Sequence, residues 1–256
     1  MEPSALERFM LATVAHDGLD DRVAIEEPLE IRVRGRALAV TMRTPGHDEE
    51  LACGFLWGEG LLAGPPEAVG PAADLAANVV DVDAELAADP GRRRFYTTSS
   101  CGVCGKGALD EVAVNAPPLP GGPRVARELL AELPDRLAQP GFAATGGLHA
   151  TGLFTPDGDL LLVREDVGRH NAMDKVVGRC LLDGALPLSG RLLCVSGRLS
   201  FELVQKAAVA GAPVLVGVGA PTSLAVELAD DRGLTLCGFA RRGRVNVYTR
   251  PERVVS

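Results

Sequence analysis

The chain has 256 residues, 46% of them hydrophobic and 23% charged, and a formal net charge of −8. That is an ordinary composition for one large folded domain or two modest ones. The acidic balance excludes bulk nucleic-acid binding, which needs a basic face, and no apolar run approaches the ~18 residues of a membrane span. The opening MEPSALERFM lacks a basic region followed by an apolar stretch, so no signal peptide is expected and the protein is placed in the cytoplasm.

In chain order, residues 22–43 read as two strands: 30–34 alternates charged and apolar side chains, and 37–40 follows a turn at Gly35. A helix opens over 44–51. Asp48, Glu49 and Glu50 fill its first turn, as the helix dipole favours, Leu51, Phe55 and Leu56 supply its apolar face, and Gly58 and Gly60 end it. The segment 64–91 is rich in Ala, Pro, Gly and Asp and is expected to wind over the surface, with a short strand at 79–82. Residues 94–97 read as a strand leading into a cysteine loop. The segment 115–123 holds four prolines and two glycines in nine residues and reads as a linker.

Beyond it, 124–139 reads as a helix interrupted near Pro134. Strands at 149–154 and 160–165 flank Pro156, Asp157 and Gly158, and 171–182 reads as a helix. The spacing predicts a strand at 192–196, a helix at 200–210 with Ser200 as its N-cap and Gly211 as its stop, a strand at 213–218 and a helix at 222–229. Strands at 235–240 and 244–249 close the chain around Arg241, Arg242 and Gly243. This alternation predicts fold class α/β (α+β): a smaller N-terminal α+β domain over 1–118 and a C-terminal α/β sandwich over 124–256.

The chemistry concentrates at 97–107, TTSSCGVCGKG. Cys101 and Cys104 stand three positions apart in a loop that Gly102, Gly105 and Gly107 keep from packing as a rigid helix. Such a pair can attack, hold sulfur, form a disulfide or bind a metal. A closed zinc site needs four ligands, and there is no second cysteine pair, so no metal is expected. Thioredoxin-type chemistry normally places the first cysteine at a helix start, which Gly105 disfavours; Lys106 could stabilise a thiolate. His47, Asp48 and Glu49 ahead of Cys101 and Cys104 echo a zinc-deaminase signature, but Ser100 stands where that signature has proline. The remaining cysteines, at 53, 180, 194 and 237, lie in apolar or glycine-rich surroundings and read as small buried hydrophobes.

Two other clusters carry polar groups. Residues 164–175, REDVGRHNAMDK, follow the apolar run 160–163; a strand end opening onto a helix is where α/β proteins place ligand groups, although composition alone reads as a solvated turn and a capped helix. Residues 238–244, GFARRGR, begin a terminal stretch whose 239–256 carry a local charge of +4. Guanidinium groups beside a glycine turn suit phosphate, and Phe239 could support a ring. All the basic residues except Lys106, Lys175 and Lys206 are arginine, so a plain arginine-rich hairpin tip explains this stretch equally well.

The motifs 44–60 (TPGHDEELACGFLWGEG), 97–107, 165–178 (EDVGRHNAMDKVVG), 196–229 (SGRLSFELVQKAAVAGAPVLVGVGAPTSLAVELA) and 238–249 (GFARRGRVNVYT) occur in one order. Together they resemble the formate dehydrogenase accessory sulfur-carrier family, FdhD, over nearly the whole chain, least at 61–93. The resemblance implies a sulfurtransferase that accepts persulfide sulfur from a cysteine desulfurase and passes it to the molybdenum bis(molybdopterin guanine dinucleotide) cofactor, as formate dehydrogenase activity requires. It implies that Cys101 carries the persulfide and Cys104 assists. It implies that Phe239, Ala240, Arg241, Arg242, Gly243 and Arg244 help bind the cofactor, with guanosine diphosphate as a mimic. It further implies a cytidine-deaminase-like C-terminal domain without the catalytic zinc set, a homodimer, and the formate dehydrogenase catalytic subunit as a partner. The alternative is a non-catalytic chaperone that binds the cofactor or the enzyme while its thiols only maintain redox state.

Overall fold

A computed structural model describes residues 10–74, 77–87, 95–97 and 118–255. The chain begins with a hairpin of β1 (Leu11–His16) and β2 (Leu19–Ala24), largely exposed. In β3 (Glu27–Val33), Leu29, Ile31 and Val33 are buried on one face, as period-two geometry requires. β4 (Arg36–Arg43) pairs antiparallel with β3 across Arg34 and Gly35, both at positive φ. Helix α1 (Asp48–Gly58) places Leu51, Ala52, Phe55 and Leu56 on this sheet. β5 (Ala68–Pro71), β6 (Val79–Asp83) and β7 (Phe95–Thr97) complete a five-stranded sheet in the order β5-β6-β3-β4-β7.

The helix expected over 124–139 is three pieces: β8 (Val125–Ala126), α2 (Arg127–Glu132) and a 3-10 turn at Leu133–Arg136. Pro134 cannot supply the N–H that an α-helix needs and sits in the first turn of the tighter helix instead. Next comes α3 (Pro140–Thr145), a helix absent from the periodicity of the sequence. β9 (His149–Phe154) and β10 (Leu160–Asp166) form an antiparallel pair, followed by α4 (Arg169–Leu182), β11 (Leu192–Val195), α5 (Phe201–Val209), β12 (Val214–Gly217), α6 (Ser223–Asp231), β13 (Thr235–Arg241) and β14 (Arg244–Val247). The six-stranded sheet runs β10-β9-β11-β12-β13-β14, with β11, β12 and β13 parallel. The short β15 (Val254–Val255) returns to pair with β8.

Both faces of this second sheet are covered, and the strands show it residue by residue. Leu193, Val195, Leu215 and Leu236 join the core beneath α4, α5 and α6, while the alternate residues Leu192, Cys194, Val214, Val216 and Cys237 pack with Leu130 and Leu133 on the other side. The result is the mixed α/β architecture expected, with a three-layer C-terminal half. Among the described residues no helix is long and apolar enough to cross a membrane.

Helices α1 and α4 weld the two sheets together. A Cβ on Gly54 would fall 1.8 Å from the Asp174 carbonyl oxygen, and one on Gly178 would fall 1.8 Å from that of Glu50. The helix backbones therefore touch where glycine permits it. Lys206 of α5 completes the joint: its Nζ lies 2.8 Å from Asp174 Oδ1, 3.6 Å from Glu59 Oε1 and 5.6 Å from the centre of the Phe55 ring. Burial pushes the Asp174 carboxyl up to about 6 while the Lys206 ammonium pulls against it.

Candidate functional site along the carboxyl edge of the second sheet

β11, β12 and β13 are parallel, so their carboxyl ends share one edge, and the antiparallel β9 starts there beside the end of β10. Helices α4, α5 and α6 each follow a strand that ends at this edge, so their amino ends lie along it. Open α/β sheets bind ligands at such an edge. Two loops and the bulged end of β13, each with a glycine, layer across it: the Gly219 N–H donates to Gly197 O at 2.9 Å, and the Phe239 N–H donates to Gly219 O at 3.1 Å. A Cβ on Gly219 would meet Arg198 backbone at 2.9 Å, and one on Gly238 would meet Gly219 O at 3.1 Å. Glycine is what lets these loops stack.

At one end of the edge stands the arginine turn. The β13–β14 register shifts between Gly238 and Arg241, and Phe239 takes φ +53°, a strained conformation for a bulky residue. The bulge turns Phe239 out, 37% exposed, while Ala240 is fully buried. Arg242 and Gly243 both have positive φ (51° and 71°), the backbone of a two-residue hairpin turn. Arg241, Arg242 and Arg244 are exposed. Tyr248, 38% exposed, lays its ring against Gly238, where a Cβ would meet it at 3.1 Å. Of the residues expected from sequence, Phe239, Arg241, Arg242, Gly243 and Arg244 are exposed here while Ala240 packs into the core, and Tyr248 lies beside them unannounced.

At the other end lie His149, Arg169, His170, Arg198 and Ser200. His170 Nε2 stands 3.2 Å from Ser200 Oγ and 3.7 Å from Glu202 Oε2. Burial, then the Arg169 charge, pushes the His170 imidazole down to about 4, and the same two causes lower His149. Both rings are neutral at pH 7. The neighbouring stretch is not the solvated turn its composition suggested. Asp166 is fully buried, 2.7 Å from Lys175 Nζ, and accepts from Gly168 N (2.8 Å), Asn171 Nδ2 (3.0 Å) and Thr44 N (3.2 Å). Lys175 also donates to Thr44 O at 2.9 Å. Charge density alone could not reveal this, because Thr44, which closes the cage over Asp166 and Lys175, comes from the other half of the chain.

Cys101 and Cys104 lie outside the described residues, but the strand that leads to them does not. β7 runs parallel to β4 with Thr97 registered against Thr41. The Thr41 hydroxyl donates to Asn171 Oδ1 at 3.3 Å, and Asn171 Nδ2 donates to Met42 O at 2.8 Å. The root of the cysteine loop is therefore one strand spacing from a residue that touches the first turn of α4. Cys101 is four residues past Thr97, a reach of at most about 14 Å. The other cysteines, 53, 180, 194 and 237, are buried as expected. Burial pushes the Cys53 and Cys237 thiols up to about 12 and Cys180 to about 11, and raises Cys194 too; such thiols are poor nucleophiles. His47, the start of the deaminase echo, opens α1 and faces Glu50 at 3.5 Å.

A protein of Streptomyces coelicolor named sulfur carrier protein FdhD is 53% identical over 91% of this chain and 89% of its own length. The proteins of that name from Streptomyces avermitilis and Mycobacterium tuberculosis are 51% and 49% identical over the same share of this chain. A crystal structure from Desulfotalea psychrophila, provisionally described as a formate dehydrogenase accessory protein, superposes with a TM-score of 0.73 at 28% identity, covering 96% of this chain and 97% of that one. The profile of the FdhD/NarQ family matches residues 24–255, and the chain belongs to that family.

Proposed function

We propose that the protein is a sulfurtransferase that takes persulfide sulfur from a cysteine desulfurase onto Cys101 and delivers it to the molybdenum bis(molybdopterin guanine dinucleotide) cofactor of formate dehydrogenase. The observation that carries this reading is the layout of the carboxyl edge. The arginine turn stands at β13–β14, and β7, which ends four residues before Cys101, pairs with the strand whose Thr41 hydroxyl meets Asn171 of α4. Four strand spacings, about 19 Å, separate the arginine turn from the β10 end of the edge, a span suited to an extended nucleotide-bearing substrate. The buried, protonated thiols elsewhere leave the nucleophilic role to Cys101 and Cys104.

In the loading step the Cys101 thiolate attacks the outer sulfur of the donor persulfide. A new S–S bond forms, the donor S–S bond breaks, and the donor leaves as a thiolate. If Cys104 then attacks the Cys101 sulfur, the outer sulfur leaves as hydrosulfide and a Cys101–Cys104 disulfide remains, so the thiol pair takes up the oxidation. The cofactor is cargo here. Phe239 and Tyr248 offer ring faces, and Arg241, Arg242 and Arg244 offer phosphate donors.

The test is intact-mass analysis after incubation with a desulfurase and cysteine. The wild type is expected to gain a persulfide that Cys101→Ala lacks, and cells carrying Cys101→Ala are expected to have no active formate dehydrogenase. Full activation by Cys101→Ala would instead support a chaperone that acts without its thiol.

A further inference from the structure

One buried acid of this protein holds no cation. Glu50, Glu165, Asp166 and Asp174 are the buried carboxylates among the described residues. Three of them are matched: Glu50 by Arg164 at 2.6 Å, Asp166 by Lys175 at 2.7 Å and Asp174 by Lys206 at 2.8 Å. Glu165, 7% exposed, has no ion pair among the described residues. Its carboxylate accepts from the N–H groups of Gly141 (2.8 Å) and Phe142 (2.7 Å), which use about two of its four lone-pair sites. Burial pushes this carboxyl up, and the two N–H groups pull against it. A buried carboxylate without a cation is costly to ionise.

Glu165 lines a cavity of about 280 Å³ where four segments meet: the start of β1, the turn before α1, the start of α3 and the end of β10. Gly141 lines it too and brings the α3 backbone close; a Cβ there would meet Glu165 Oε2 at 3.1 Å. Leu11, Pro45, Pro140 and Val163 give the cavity apolar walls. The two permanent cations on its wall, Arg164 and Lys175, are the partners of Glu50 and Asp166. His47, also on the wall, faces Glu50 at 3.5 Å. The negative charge of Glu165 is the one left over.

The chemistry of the wall selects the occupant. A bound metal ion needs about four or more donor groups, and no three His, Cys, Asp or Glu residues converge to hold one among the described residues. An organic cation needs less: a carboxylate for its N–H groups and apolar surface for its stem. The cavity is also smaller than the sites of drug-sized ligands, which suits a short chain and not a nucleotide. We infer that the cavity over Glu165 binds a small organic cation, a primary ammonium or guanidinium group carried on a short apolar stem. The cation donates to the carboxylate lone pairs that α3 leaves free, and the stem lies against Leu11 and Val163.

The experiment is calorimetric titration of the full chain with n-butylamine and n-butylguanidine, both cations at pH 7. Wild type is expected to bind each with a Kd of about a millimolar. In the same range 1-butanol, which keeps the stem without the charge, and butyrate, which reverses the charge, are expected not to bind. Glu165→Gln keeps an acceptor for the α3 N–H groups and is expected to weaken the cations about tenfold or more, as loss of a charged hydrogen-bond acceptor implies. Should thermal melting show that this variant does not fold, Ala138→Trp takes its place: Ala138 is exposed and lines the cavity, and an indole there is expected to weaken the cations about threefold or more by steric clash. N-acetyl-lysinamide separates the sources. Binding as tight as that of n-butylamine would make the natural occupant a lysine side chain of a protein, and its exclusion would make it a free amine; the cation site stands in both cases. No binding by wild type, equal binding of 1-butanol, or unchanged affinity in the folded Glu165 and Ala138 variants would overturn it.

Discussion

Glu50 is a carboxylate whose place in α1 is legible and whose work is not. An acid in the first turn of a helix is expected from the dipole. Its partner, Arg164, is 114 positions away, with Nε 2.6 Å from Oε2 and Nη2 2.9 Å from Oε1. Burial pushes the Glu50 carboxyl up, but the Arg164 fork and then His47 outweigh it and hold the group at about 2. Its folded value lies below the ordinary value of 4.5, so its stabilisation is present above about pH 4.5 and is lost as pH falls through about 2. Urea midpoints measured between those limits are expected to fall more steeply for wild type than for Glu50→Gln. Equal slopes would show that the ion pair does not couple to folding. The same separation in sequence hid part of the environment of Asp166: Lys175 stands in the helix that follows it, but Thr44, which donates its N–H at 3.2 Å, comes from the turn before α1. The four buried cysteines were legible because each sits in an apolar strand or helix face whose period alone buries it.

At the scale of elements, the well-read segments are those with a strong period and a chemical stop. Thr222 caps α6 by accepting from Ala225 N at 3.3 Å, and Gly211 at φ +76° stops α5. Ser200 holds the N-cap position of α5, yet its hydroxyl faces His170. The β1–β2 hairpin escaped notice because it is mostly exposed and has no apolar face to alternate. α3 escaped because it is short and is stabilised from afar: Glu165 accepts from Gly141 N and Phe142 N at 2.8 and 2.7 Å. The α1–α4 contact is the sharpest case of a cause carried by residues that look incidental. Gly54→Ala or Gly178→Ala would drive a methyl into backbone, and no rotamer can relieve it. Each is expected to destabilise by about 3 kcal/mol or more, lowering Tm by roughly 6–12 °C. Gly190→Ala, with nothing within 4 Å of its Cβ position, is the control and is expected to change stability by less than about 0.5 kcal/mol. A Gly178→Ala melting temperature equal to the control's would mean that the helices are looser than the structure shows.

Over the whole molecule, the proposed function assigns two tasks to two places. Residues 239–256 carry +4 in a chain of net −8, and three of their arginines, Arg241, Arg242 and Arg244, are exposed at the last hairpin of the second sheet. β7, the edge strand of the first sheet, ends four residues before Cys101. Exposed guanidiniums attract phosphate through solvent, so guanosine diphosphate is expected to bind more weakly as salt rises. Replacing Arg241, Arg242 and Arg244 by Ala together is expected to weaken that nucleotide about tenfold, read by calorimetry at fixed ionic strength. None of the three reaches into the core, so melting should be unchanged, and so should persulfide loading on Cys101. This combination discriminates between structural and functional roles for the turn. Unchanged nucleotide affinity would move the guanine site away from Phe239–Arg244. Loss of nucleotide binding, persulfide loading and thermal stability together would make the turn a support of the fold.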